Sequence, residues 1–160
     1  MLLTDRLAEL LQLDCSSRVL DVCCGDGGSA VHLAWRLGCR VVGVDPSEQN
    51  VGVAAERARE RGVDSLCTFV HGDAERIDLG DGRFDAVILE LASGAFTDQV
   101  DAARGLARLL RPGGRIALTD RARADAAPRE QVAASMRSAG LEPGSIETDD
   151  EYAIVLASRV

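Results

Sequence analysis

The sequence contains no lysine: its 18 basic residues are all arginine, set against 26 acidic ones, for a formal net charge of -8. No basic excess exists to neutralise phosphates, which argues against a protein that wraps nucleic acid. No apolar run reaches membrane-spanning length, and Asp5, Arg6 and Glu9 interrupt the first residues, so neither a membrane span nor a secretory leader is expected. Histidine is scarce, with His32 and His71 the two examples. The five cysteines, Cys15, Cys23, Cys24, Cys39 and Cys67, form no CxxC pair. That pattern points to reduced thiols in a cytoplasmic protein and to no metal site. Repeats, low-complexity tracts and linkers are missing too. A chain of 160 residues, 46% of them hydrophobic, then reads as one domain over residues 1–160 with a core of its own.

What is present is an alternation of strand and helix. Leu7, Leu10 and Leu11 share one face of a short first helix, with Thr4 as its expected cap. Arg18-Val19-Leu20-Asp21-Val22 reads as a buried strand that ends at Gly25, Gly27 and Gly28. Ala30, Leu33, Ala34 and Leu37 then line a helix stopped by Gly38. Val41-Val42-Gly43-Val44-Asp45 is a second strand, and Ser47 caps a helix ending at Gly62. Further strands are expected near residues 66–70, 84–89, 115–118, 145–148 and 152–157, with one helix marked by Val100, Ala103, Ala107 and Leu110 and another after Pro128. Continuous apolar strands alternating with amphipathic helices imply a largely parallel sheet covered on both faces, a doubly wound α/β fold.

Such sheets bind ligands beyond the C-terminal strand ends, where the winding reverses. Asp21, Asp45, Asp73 and Glu90 lie near the ends of four successive strands, more acid than solubility requires at those places. Between the first strand and its helix runs Asp21-Val22-Cys23-Cys24-Gly25-Asp26-Gly27-Gly28. Glycines there permit positive φ and close approach of a ligand, and the helix N-terminus offers free N–H donors. Gly25-x-Gly27-x-x-Ala30 also fits a dinucleotide fingerprint, with Asp45 at a ribose-binding distance downstream. Asp21 separates the two readings. An acid just before the turn repels a pyrophosphate but attracts a ligand carrying an ammonium and a sulfonium.

Val19-Leu20-Asp21-Val22-Cys23-Cys24-Gly25-Asp26-Gly27 resembles the first motif of class I S-adenosylmethionine-dependent methyltransferases, in the Cys-Cys-Gly form seen in quinone-biosynthesis members. Val42-Gly43-Val44-Asp45-Pro46-Ser47 resembles the second motif. Gly72-Asp73-Ala74-Glu75 and Arg83-Phe84-Asp85-Ala86-Val87 resemble the third and fourth, and Leu109-Leu110-Arg111-Pro112-Gly113-Gly114-Arg115 the turn before strand five. The resemblance covers residues 17–120. It implies a Rossmann-like seven-stranded sheet of order 3-2-1-4-5-7-6 with strand seven antiparallel, in a single minimal domain. It also implies S-adenosylmethionine as cofactor, S-adenosylhomocysteine as product, and these roles: Asp21 and Gly25 at the methionine end, Asp45 at both ribose hydroxyls, Asp73 and the Ala74 backbone at the adenine, with Cys23, Gly27, Pro46 and Glu90 as further cofactor-binding residues. Cys23 stands where the family usually has a glycine, and residues 90–96 carry no recognisable catalytic signature.

The expected function is in-line methyl transfer to a small-molecule acceptor, where catalysis comes mainly from positioning. Glu90 is the candidate general base, or else a contact for the methionine ammonium or simply a polar strand end. His71 is a candidate for the adenine edge, His32 is expected to be solvated, and Trp35 to pack against Val31. Cys23 and Cys24 read as small residues filling a tight turn. Little chain precedes the first strand, so the acceptor face is expected to be open unless residues 121–129, a second copy or a partner cover it. The alternatives are a cofactor-binding module or pseudoenzyme that needs a partner subunit, and a dinucleotide-binding protein.

Overall fold

The long apolar runs become the inner strands of one sheet, and the helical patterns become its cover. The computed structural model describes residues 2–73, 76, 78–90, 99–121, 129–148 and 152–160. Its first half runs α1 (Leu3–Leu10), β1 (Arg18–Val22), α2 (Gly28–Leu37), β2 (Arg40–Asp45), α3 (Glu48–Arg61) and β3 (Cys67–His71). The second half runs β4 (Phe84–Glu90), α4 (Gln99–Leu109), β5 (Leu110–Arg121), α5 (Arg129–Ser138), β6 (Leu141–Thr148) and β7 (Tyr152–Arg159). The seven strands lie in the order β3-β2-β1-β4-β5-β7-β6. β1 pairs in parallel with β2 and β4, β2 with β3, and β4 with β5, while β7 is antiparallel to both β5 and β6. This is the expected sheet, and its winding reverses between β1 and β4.

Side-chain parity decides what faces what, because successive residues of a strand point to opposite faces. Leu20, Val22, Val44, Val87 and Leu89 enter one core with Leu106 and Leu109 of α4 and Met136 of α5. Val19, Val41, Ala86 and Ile88 enter the other, with Leu7 of α1, Leu33 and Ala34 of α2, and Ala58 of α3. Asp21, Asp45 and Glu90 have the parity of this second set. Three acids from adjacent strands therefore face the side covered by α1, α2 and α3.

Local chemistry sets the helix ends. Gly38 and Gly62 close α2 and α3 in the left-handed conformation, and Ser47 Oγ accepts the Asn50 N–H at 3.2 Å. Thr4, however, is not a cap. α1 begins at Leu3 with Leu2 in the cap position and no side-chain cap bond. β5 starts at Leu110, earlier than residue 115, because its register jumps from Phe84↔Leu110 to Ala86↔Arg115. The Pro112-Gly113-Gly114 turn is thus carried within the strand as an irregularity. β6 likewise starts at Leu141, which pairs with Arg159 of β7. Trp35 does not pack into the core: it is 52% exposed, with the Arg61 guanidinium 4.0 Å from its ring centre. A cation over an aromatic face holds it there. Among the described residues no helix is long and apolar enough to cross a membrane, and no group of His, Cys, Asp and Glu is arranged to hold a metal.

Candidate functional site

The turn after β1 forces the backbone through left-handed conformations. φ is +57° at Cys23, +55° at Gly25 and +76° at Gly27. The two glycines are needed for different reasons. A Cβ on Gly27 would lie 2.6 Å from the Ala54 Cβ, so α2 and α3 can meet only because it is absent. A Cβ on Gly25 would meet nothing within 4 Å, so its bareness leaves an open approach to the backbone at the start of α2. Cys23 takes positive φ without being glycine, at a cost of about 1 kcal/mol. The turn is tied to β2 by the Cys24 N–H on the Val44 carbonyl at 3.0 Å and the Gly25 N–H on Asp45 Oδ2 at 2.8 Å.

Asp21 is 2% exposed, and its Oδ2 is buried without a hydrogen-bond partner. Its carboxyl is pushed well above the ordinary carboxylate range, by burial first and then by the charges of Glu90 and Asp45; only the Ala30 N–H acts the other way. Among the described residues Asp21 Oδ2 is the one buried side-chain polar atom without a partner, and two further acids act on it. Glu90, at the end of β4, is also raised by burial. Three groups oppose that rise: the Ser29 and Thr4 side chains, which hydrogen-bond to it, and the His32 ring. Thr4 Oγ1 donates to Glu90 Oε1 at 3.0 Å and lies 3.3 Å from Oε2, with Ser29 Oγ 3.1 Å from Thr4 Oγ1.

Asp45 is equally buried but well supplied. Its Oδ1 accepts the Ser47 N–H at 2.9 Å and Asn50 Nδ2 at 3.0 Å, and its Oδ2 accepts the Gly25 N–H. Three of about four lone-pair positions are thereby engaged, leaving room on Oδ2 for one further donor. Asp73 is exposed, two residues past β3, and Gly72 between them donates its N–H to the Asp45 carbonyl at 3.0 Å. His71 Nε2 donates to the Pro46 carbonyl at 2.9 Å, which ties β3 to the end of β2 and occupies that ring nitrogen. His32 is not solvated: its Nε2 lies 2.6 Å from Asp5 Oδ1, and Arg36 pairs with the same carboxylate. The expected Ala74 contact and residues 91–96 after Glu90 lie outside the described residues, as do residues 122–128 of the expected cover.

The thiols are quiet. All five cysteines are free. Burial, then the charges of Asp45, Asp21 and Asp73, push Cys23 up to about 11, and burial pushes Cys24 higher still. A thiol so protonated is a poor nucleophile and metal ligand.

Three participants escaped the sequence reading: Thr4, Ser29 and Asn50. Thr4 did leave a signal. It shares a helical stripe with Leu7, Ala8 and Leu11, all buried, and a hydroxyl on an apolar stripe must find a partner. Ser29 and Asn50 left none, because polar residues in the first turn of a helix are ordinary.

A buried unpartnered acid thus lies beside a bare glycine turn at the switch point of the sheet. A sequence profile described as a methyltransferase domain matches residues 19–114. The chain belongs to the methyltransferase domain family. It is similar to 27-O-demethylrifamycin SV methyltransferase of Amycolatopsis mediterranei, 35% identical over 171 residues covering 94% of this chain and 63% of that one. The domain spans between 42% and 63% of the lengths of the curated relatives it matches. Among solved structures, the cyclase SpnF superposes with a TM-score of 0.89 at 25% identity, over 98% of this chain and 79% of that one. Geranyl diphosphate C-methyltransferase of Streptomyces coelicolor, solved with Mg2+, geranyl diphosphate and S-adenosyl-L-homocysteine, has a TM-score of 0.82 at 20% identity, over 98% and 77%. At that identity the likeness to this methyltransferase domain is one of fold.

Proposed function

We propose that the protein is an S-adenosylmethionine-dependent methyltransferase acting on a small-molecule acceptor. The observation that carries this reading is the buried, partnerless Asp21 Oδ2 beside the open turn at Gly25. A dinucleotide would bring a pyrophosphate against that acid, whereas the methionine end of S-adenosylmethionine brings an ammonium and a sulfonium. The relative named for methylating 27-O-demethylrifamycin SV supports a small acceptor.

In this reading Asp21 takes the ammonium, with Glu90 as its second acid. Gly25, Gly27 and the N-terminus of α2 take the methionine carboxylate, with Cys23 lining the turn. Asp45 accepts from the ribose diol through its remaining Oδ2 position and, for a second hydroxyl, by exchanging the Asn50 bond. Asp73 and the Ala74 backbone frame the adenine, with Pro46 beside the cofactor. When bound, the cofactor supplies a methyl group on a positively charged sulfur, open to in-line displacement. The residues of the chain hold donor and acceptor in line and exclude water, which suffices for most of the rate. Glu90 is the candidate base only for an acceptor that must lose a proton. A second copy or partner is a natural cover for the acceptor face, and five reduced thiols suit a cytoplasmic setting.

The test is calorimetry with S-adenosylhomocysteine and with NADH, followed by methylation assays on small acceptors. S-adenosylhomocysteine is expected to bind and NADH not to; tighter binding of NADH would sink the assignment. Glu90→Gln then sorts its two roles. A loss confined to turnover, about tenfold or roughly 1.4 kcal/mol, marks a base, and a loss in cofactor affinity marks an ammonium contact. Binding without transfer to any acceptor would support a binding module that works with a partner.

A further inference from the structure

α1 carries one polar side chain on the stripe it turns to the sheet. Thr4 is buried with Leu7, Ala8 and Leu11, and its hydroxyl does not serve the helix end. A hydroxyl in that position costs free energy unless it is bonded. It is bonded to Glu90, and with Ser29 it closes a network that joins α1, α2 and the end of β4. A second tie runs in parallel, from Asp5 of α1 to His32 and Arg36 of α2. The N-terminal turn of α1 is therefore fastened to the acid edge of the sheet by side chains rather than by apolar packing alone.

We propose that Thr4 is a positioning residue: it holds the Glu90 carboxylate beside Asp21, so that the two acids together cradle the cationic methionine end of the cofactor, and it thereby couples the seating of α1 to occupancy of the site. This rests on the cofactor reading above. Two carboxylates brought together out of water repel, and each resists ionisation. A cation between them relieves both, provided both are ionised. Hydroxyl donors on Glu90 favour its ionised form, so removing one makes it protonate at higher pH and lose its pull on the cation. Among the described residues, the charged groups around Glu90 are Asp21 from β1 and His32 from α2, the latter held by Asp5 of α1 next to Arg36 of α2. β5 places the uncharged Thr119 opposite. All of these are unchanged in Thr4→Val, which deletes the hydroxyl and keeps the shape.

The experiment measures S-adenosylhomocysteine affinity across pH for the full chain, Thr4→Val and Thr4→Ser, with Asp45→Ala in parallel and melting curves for each. Thr4→Val is expected to bind about tenfold more weakly near neutral pH, with the acidic limb of its binding profile displaced upward, and Thr4→Ser to restore both. Wild-type affinity and an unmoved limb in Thr4→Val overturn the proposal. So does a weakening that is uniform across pH and not rescued by serine, which marks a purely structural role. Should Thr4→Val fail to fold, Ser29→Ala removes the other donor and is expected to move the limb in the same direction; an unmoved limb there overturns the proposal as well. The parallel variant separates the two levels. If the wild type binds and Asp45→Ala weakens it while Thr4→Val does not, the inference fails and the cofactor reading stands; if the wild type does not bind, both fail.

Discussion

Asp21 is held at a cost to the empty protein. Its carboxyl lies well above the ordinary range in the folded chain, chiefly through burial. As pH rises past the ordinary carboxylate range, the unfolded chain releases this proton first while the folded chain keeps it. Stability therefore falls as pH climbs toward the raised folded value, and Glu90 contributes with the same sign. Asp21→Asn removes the charge and keeps the shape. It is expected to flatten that slope and to raise the Tm of the ligand-free protein most at the alkaline end of the range. The same change should weaken S-adenosylhomocysteine binding at least about tenfold, by removing a charge-assisted bond. Thermal melting at two pH values with calorimetry checks both; a variant that is less stable at every pH contradicts the account of Asp21 as an acid awaiting a cation. Cys23 is the opposite case, a residue that tolerates strain in its backbone while its thiol stays protonated.

At the scale of elements, the β1–α2 turn divides its work between two glycines. Gly27 lets two helices touch, and Gly25 keeps a surface open. Alanine at either must accept positive φ, which costs about 1 kcal/mol. Gly27→Ala adds a clash with Ala54 and is expected to lose roughly 2–4 kcal/mol of stability. Gly25→Ala should lose only about 1 kcal/mol of stability while its methyl obstructs the approach to the turn, so affinity falls further than folding does. Denaturant melts beside cofactor titrations read the difference. Equal stability losses at the two sites would mean that the open space at Gly25 has no use. The helix caps behaved as their sequence implied, at Gly38, Ser47 and Gly62, because capping depends on neighbours within one turn. Thr4 did not. Its hydroxyl accepts no N–H at the helix end and instead donates to a part-buried carboxylate 86 residues away.

For the whole molecule, ligand binding and folding share one linkage. A ligand at a hundred times its Kd adds about 2.7 kcal/mol to stability. S-adenosylhomocysteine in that excess should therefore raise Tm by roughly 5–10 °C. In the proposed reading its ammonium answers acids whose ionisation weakens the ligand-free fold, so at one fixed ligand concentration the rise should grow as pH climbs through the raised range of Asp21 and Glu90. A scan showing a rise that shrinks over that interval would contradict the linkage. The order of the elements, the sheet and the family were legible along the chain, since apolar strands, glycine turns and strand-end acids are local patterns with fixed spacing. Asp21, Asp45, Asp73, Gly25 and Gly27 were legible as candidates for the same reason. Which acid would stand alone was not. Asp21 and Asp45 look alike in sequence, each at the end of an apolar strand, yet packing gives Asp45 three hydrogen bonds and leaves one oxygen of Asp21 with none. The partners of Glu90 come from helices that only the folded sheet brings to β4. Spacing along the chain determines which residues share a strand end or a helix face; the desolvation and pairing of a charge depend on what other segments deliver there, and that the tertiary structure alone decides.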